Sequence, residues 1–151
     1  MLDDTDRRLL RQLQNDPTAS TAALAARSGV SAQLATRRLD RLRRDGVLRG
    51  QRARIDWRAL GYSVEVSLRF TLDKAAPRAF DEFIAAAREV PEVIEIQTFL
   101  GRVDVRLSVI ARDLEHYHRL YRQRIVTLPH ISDVEALMQI ATLKTDERLP
   151  L

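Results

Sequence analysis

Two periods run along this chain, and the change between them divides it. Before about residue 45, apolar residues recur at helical spacing. Leu9, Leu10 and Leu13 give a first helix from Asp4 to Asn15, which Asp16-Pro17 stops. Leu24 and Ala25 mark a short second helix, with Ser20 or Thr21 as its cap and Gly29 to end it. Ser31 then caps a third helix, in which Ala35, Leu39 and Leu42 form one buried stripe.

From Tyr62 the period drops to two. Tyr62, Val64, Val66, Leu68, Phe70 and Leu72 alternate with Ser63, Glu65, Ser67, Arg69 and Thr71, which predicts a half-buried strand. Pro77 opens a helix whose apolar face is Phe80, Phe83, Ile84 and Ala87. Strands follow over Val93–Leu100 and Val103–Ala111, joined at Gly101-Arg102. Asp113 caps a helix carrying Leu114, Tyr117, Leu120 and Tyr121, and a last strand is expected over Ser132–Leu143. The order βαββαβ is that of a ferredoxin-like domain.

The first three helices carry chemistry that a core does not need. Gln33, Thr36, Arg37, Arg41 and Arg44 lie largely off the apolar stripe of the third helix. A helix braced from behind, with amide, hydroxyl and guanidinium groups in front, suits the major groove of double-stranded DNA. Residues 47–48 and 53–55 predict two short strands of a wing around Gly50, with Arg49, Arg52 and Arg54 placed to meet phosphates. The competing reading of any one arginine is a solvated helix face, with Asp40 and Arg44 as an i, i+4 pair. Arg38 is read as a base or phosphate contact or as a brace for the helix.

Charge sharpens the division. Residues 1–60 hold thirteen arginines against seven aspartates, whereas the rest holds twelve basic against fourteen acidic groups. A basic head joined to a mildly acidic second domain suggests a nucleic-acid module plus something else. The boundaries expected are 1–55 for the winged helix-turn-helix, 56–61 for a linker and 62–151 for the second domain. Trp57 is expected to pack at the joint. The chain has no cysteine, so disulfides and thiolate metal sites are excluded. The opening MLDDTDRRLL lacks a signal-peptide core and no apolar run approaches a membrane span, so a cytoplasmic protein without membrane contact is expected. Neither a metal nor another cofactor is implied.

The sheet implies a partner as well. Two helices cover one face of four strands, and the last strand has apolar residues on both sides: Val134, Ala136, Met138 and Ile140 against Leu137, Ala141 and Leu143. A second copy is the simplest cover, and a two-fold dimer would present two reading helices.

Three segments, in order, resemble the Lrp/AsnC (leucine-responsive/asparagine regulator) family of transcriptional regulators. They are LDDTDRRLLRQLQNDP, LAARSGVSAQLATRRLDRLRRDGVLRG with ARIDWRALGY, and FLGRVDVRLSVIARDL. The resemblance implies an α+β protein: a winged helix-turn-helix followed by a ferredoxin-like effector domain. It also implies a homo-oligomer (a dimer, tetramer or octamer) that senses a small molecule, usually an amino acid. The DNA-binding residues are then Ser31, Gln33, Thr36, Arg37, Arg38, Arg41, Arg44, Arg49, Arg52 and Arg54. The resemblance places the effector beside the turn Gly101-Arg102-Val103-Asp104, with Thr98 and Met138 joining it. Asp104 is expected to take an ammonium group. Arg102 stands where many members carry an acidic residue, and favours a carboxylate or another organic anion. Ala32 and Leu34 replace prolines often found there.

Two other classes compete. One is an architectural, chromosome-organising protein with the same DNA contacts and no effector. The other is an enzyme resembling the siroheme decarboxylases, for which His116, His118 and His130 would be offered. His116 and His118 are two apart on a helix and cannot share a site, and no nucleophile–base pair, metal cluster or phosphate loop accompanies them. The reading is therefore a binding protein and not an enzyme.

Overall fold

The computed structural model describes residues 2–144 and 148–151. These form two units: residues 2–54 with 144 and 148–151, and residues 55–143. The last residues thus belong to the first unit, which shortens the second domain from the extent expected by sequence.

The first unit is built on three capped helices, α1 (Asp4–Asn15), α2 (Thr21–Ser28) and α3 (Ala32–Arg44). Asp3, Ser20 and Ser31 each accept a backbone N–H from three residues on, at 2.9, 3.2 and 3.2 Å. Gly29 ends α2 at φ 68°, a left-handed conformation that costs glycine little. Val30 N–H then bonds Ala25 O at 3.0 Å, which closes the turn into α3. Leu9, Leu24, Ala25, Ala35 and Leu39 make the core, with Leu13, Val30 and Leu48 against it.

After α3 the expected wing strands are absent. Leu48 N–H bonds Leu42 O and its side chain packs on the core, but no β-ladder forms over residues 47–56. Gln51 donates instead to Pro17 O. The chain's last residues return here. Leu149 exchanges two hydrogen bonds with the Gln14 amide, and Arg11 Nε donates to Leu151 O at 2.7 Å. Leu149 and Leu151 line a cavity of 370 Å³ with Leu10, Leu13, Val47 and Leu48.

The second unit holds β1 (Val64–Leu72), α4 (Ala79–Arg88), β2 (Val93–Thr98), β3 (Val105–Ala111), α5 (Leu114–Leu120) and β4 (Ile131–Met138). The sheet order is β2-β3-β1-β4 with every neighbour antiparallel, as the ferredoxin-like pattern requires. Val66, Leu68 and Phe70 of β1, and Val105, Leu107 and Val109 of β3, face the helices. Phe70 meets Phe83 of α4 with ring centroids 4.9 Å apart.

β2 ends at Thr98 and β3 begins at Val105, each two residues inside the bounds expected, and two further element ends differ for a visible reason. β4 stops at Met138, where its ladder with β1 ends: Met138 pairs with Val66, and one further backbone bond runs from Gln139 N–H to Glu65 O. Ile140 and Leu143 beyond it are fully exposed, so the second apolar set of the last strand shrinks to Leu137. α5 widens into a π-helical turn over Tyr121–Ile125. At regular pitch Arg124 would follow Tyr117 and Leu120 inward; the extra residue puts Ile125 there instead, wholly buried. Trp57 lies in the 57–61 turn, with the Arg58 guanidinium over its ring at 4.3 Å.

Candidate nucleic-acid interface and ligand turn

α3 has a buried back, two braced flanks and an exposed front. Ala35, Leu39 and Leu42 are buried. Gln33, Thr36, Arg37 and Arg44 are exposed. Thr36 donates its hydroxyl to Ala32 O at 2.9 Å, and Ser31 is occupied as the cap. Asp40 pairs with Arg43 at 3.0 Å, not with Arg44 as its spacing suggested. Arg37, Arg44, Arg49 and Arg52 have no ion-pair partner among the described residues, and all are exposed, as is Arg54.

The flanks are held by α1. Asp6 is buried completely, yet its carboxylate is ionically satisfied. Arg41 Nη2 bonds Asp6 Oδ2, and Arg38 Nη1 lies 3.4 Å from Asp6 Oδ1 and 2.6 Å from Asp3 Oδ2. Asp3 and Asp6 also cap each other's backbone N–H groups at 2.9 and 3.0 Å. The Asp6 backbone N–H, with Arg38 adding, holds the Asp3 carboxyl below its usual range. Arg38 is therefore the brace that one of its readings allowed, and Arg41 is placed likewise rather than toward phosphate. Asp6 was expected only to suit the start of the first helix, not to serve the site. Its signal was present, for Asp6 shares the α1 stripe with Leu9, Leu10 and Leu13, and a carboxylate on an apolar face calls for a buried partner.

The turn over residues 99–104 sits at one end of the sheet. Asp104 is fully engaged. Its Oδ2 accepts Leu72 N–H at 2.9 Å, Lys74 Nζ lies 3.1 Å from Oδ1, and its own N–H donates to Phe70 O at 2.8 Å. The Leu72 N–H, with Lys74 adding, keeps the Asp104 carboxyl below its ordinary 3.8. Asp104 thus stitches the turn to β1, which differs from the ammonium role expected of it. Gly101, Arg102 and Thr98 are exposed and Val103 half-buried, and Thr71 donates its hydroxyl to Arg102 O at 2.9 Å. Met138 is elsewhere. It pairs with Val66 on the far edge strand, roughly 20 Å along the sheet from Leu72 at ~3.3 Å per residue.

The histidines occupy three separate places. His116 Nδ1 accepts Arg112 N–H at 3.2 Å, and His130 pairs with Glu82 at 2.7 Å. His118 lies beside Glu115, Arg119 and Arg122 on the surface of α5.

A reading helix followed by a βαββαβ ligand-domain frame is also what comparison with known proteins returns. Residues 65–149 match the model of the Lrp/AsnC ligand-binding domain, and residues 2–49 that of a winged helix-turn-helix DNA-binding domain. The chain belongs to the Lrp/AsnC family. The glutamate uptake regulatory protein of Zymomonas mobilis is 32% identical over 99% of this chain and 91% of its own length. An AsnC family transcriptional regulator from Agrobacterium tumefaciens superposes with a TM-score of 0.87 at 30% identity, covering 99% and 97% of the two chains. The feast or famine regulatory protein of M. tuberculosis, solved in complex with L-methionine, gives 0.84 at 28% identity and 99% coverage of both. This Lrp/AsnC protein is accordingly a DNA-binding transcriptional regulator with a ligand-binding domain. No helix among its described residues is long and apolar enough to cross a membrane.

Proposed function

We propose that the protein reads specific double-stranded DNA sites with the front of α3 and responds to a small amino acid or related organic anion bound at the 101–104 turn. The observation that carries the first part is the division of labour on α3. Arg38 and Arg41 are tied to Asp3 and Asp6, so Gln33, Thr36 and Arg37 are left as the groups offered to base edges. Arg44, Arg49, Arg52 and Arg54 are assigned to phosphates, which set register and contribute the salt-dependent share of affinity.

The effector part is supported by the exposed Arg102 at the turn and by the methionine complex of the M. tuberculosis relative. The regulator is proposed to act as a homo-oligomer, with Ile94, Phe99, Leu100 and Met138 among the exposed apolar residues of the second unit available to a copy. Ligand binding then favours one assembly over another and shifts the DNA-competent population.

Nuclease footprinting on genomic fragments, with and without amino acids, tests this. The expected result is sharp protection at a few sites, altered by a ligand. Even coverage of all fragments that no ligand alters would instead assign the protein an architectural role.

A further inference from the structure

The reading head is closed by residues from the far end of the chain. The chain leaves this unit at Arg54 and returns to it at Lys144. Leu149 then meets the Gln14 amide much as one strand meets another. Its N–H donates to Gln14 Oε1 at 2.6 Å, and Gln14 Nε2 donates to Leu149 O at 3.3 Å. Nearly one turn earlier on α1, Arg11 Nε donates to Leu151 O at 2.7 Å. The tail therefore runs antiparallel to α1, with Leu151 half-buried.

The 370 Å³ cavity beside the tail joins three pieces of chain. Leu10 and Leu13 come from α1, Leu149 and Leu151 from the tail, and Val47, Leu48 and Arg52 from the segment after α3. That last segment is the one whose expected strands form no ladder, so backbone pairing does not fix its arginines. A phosphate contact made from an unfixed loop bears the entropy of ordering the loop at the moment of binding. Packing the loop's apolar residues against the tail orders it beforehand and lowers that cost.

We propose that residues 149–151 are a positioning segment for DNA binding. Seated along α1, they hold the loop over residues 47–52, and Arg52 with it, in place for a phosphate. The segment does for this head what a paired wing would otherwise do. Arg52 touches the duplex, and the tail acts through Arg52. The inference rests on the phosphate role proposed for Arg52 and adds the element that keeps it there.

Anisotropy titrations of labelled duplexes over a range of salt test it, comparing the full chain with one ending at Arg148, well below the melting temperature of each. Truncation should weaken all sequences alike, by about tenfold, and lower the salt slope by about 1. Leu151→Asp should act as truncation does and Leu151→Met should not. Arg52→Ala should then cost the truncated chain far less than the full chain, because the contact it removes is already lost. If the truncated chain does not fold, Gln14→Leu, which removes both hydrogen bonds to Leu149 and keeps the helix, takes its place. Truncation that lowers the melting temperature yet leaves affinity and salt slope unchanged would overturn the inference. So would an equal cost of Arg52→Ala in both chains. A full chain indifferent to Arg52→Ala would remove the phosphate role itself, and the inference with it.

Discussion

Asp6 shows how one residue settles the duties of two others. Its carboxylate is out of water, and Arg38 and Arg41 both reach it. Asp6→Asn leaves Arg41 short of its counter-charge and Arg38 with Asp3 alone. Removing one member of a buried pair costs about 3–5 kcal/mol; with the arginines partly solvated, roughly 2 kcal/mol is expected, seen as a lower melting temperature. Arg37 and Arg52 separate by a different measurement. Arg37→Ala should relax preference at one base step by about 1–3 kcal/mol, whereas Arg52→Ala should weaken all sequences alike and lower the salt slope by about 1. Binding titrations over operator variants and salt concentrations check both. Asp104 supplies a pH test. Its folded pKa is depressed, so its stabilisation is full above 3.8 and is lost as pH falls through the lowered value. Melting temperatures measured downward from about pH 5 should fall faster for the unaltered protein than for Asp104→Asn.

At the scale of elements, caps and stripes were legible and partners were not. The bounds of α1, the Ser31 cap and the Gly29 turn follow from local chemistry, because each depends on residues within one helical turn. Gly29→Ala should therefore cost about 1 kcal/mol from its left-handed φ alone, the nearest side-chain atom to an added Cβ being Arg8 Nη1 at 3.9 Å. Chemical denaturation of the variant measures it; an unchanged midpoint would contradict the φ argument. Strand ends depend on distant pairing. β4's apolar alternation continues in sequence past Met138, but its ladder with β1 ends at the Val66 pair. The absent wing ladder has the same origin, since two short segments around a glycine do not state whether they meet. The π-helical turn left a trace that was passed over: an arginine at position 124 and an isoleucine at 125, where regular pitch wants the reverse. The candidate sites divide likewise. Exposed arginines on α3 could be read from spacing, whereas the Gln14–Leu149 contact joins residues 135 apart in sequence, which only the fold brings together.

For the molecule as a whole, ligand and assembly are linked to stability by mass action. An amino acid at 100 times its Kd should add about 2.7 kcal/mol to the unit that binds it, provided the unfolded chain does not. Scanning calorimetry with and without saturating ligand resolves this if the two units melt separately, since only one transition should move. Sedimentation in the same samples reports whether the copy number changes. The seating of Leu149 and Leu151 among Leu10, Leu13 and Val47 has a practical corollary. A fluorophore coupled next to Leu151 would follow the last strand in covalent order but report on the environment of the reading head. Quenching of such a label upon addition of DNA would follow groove engagement without altering any arginine.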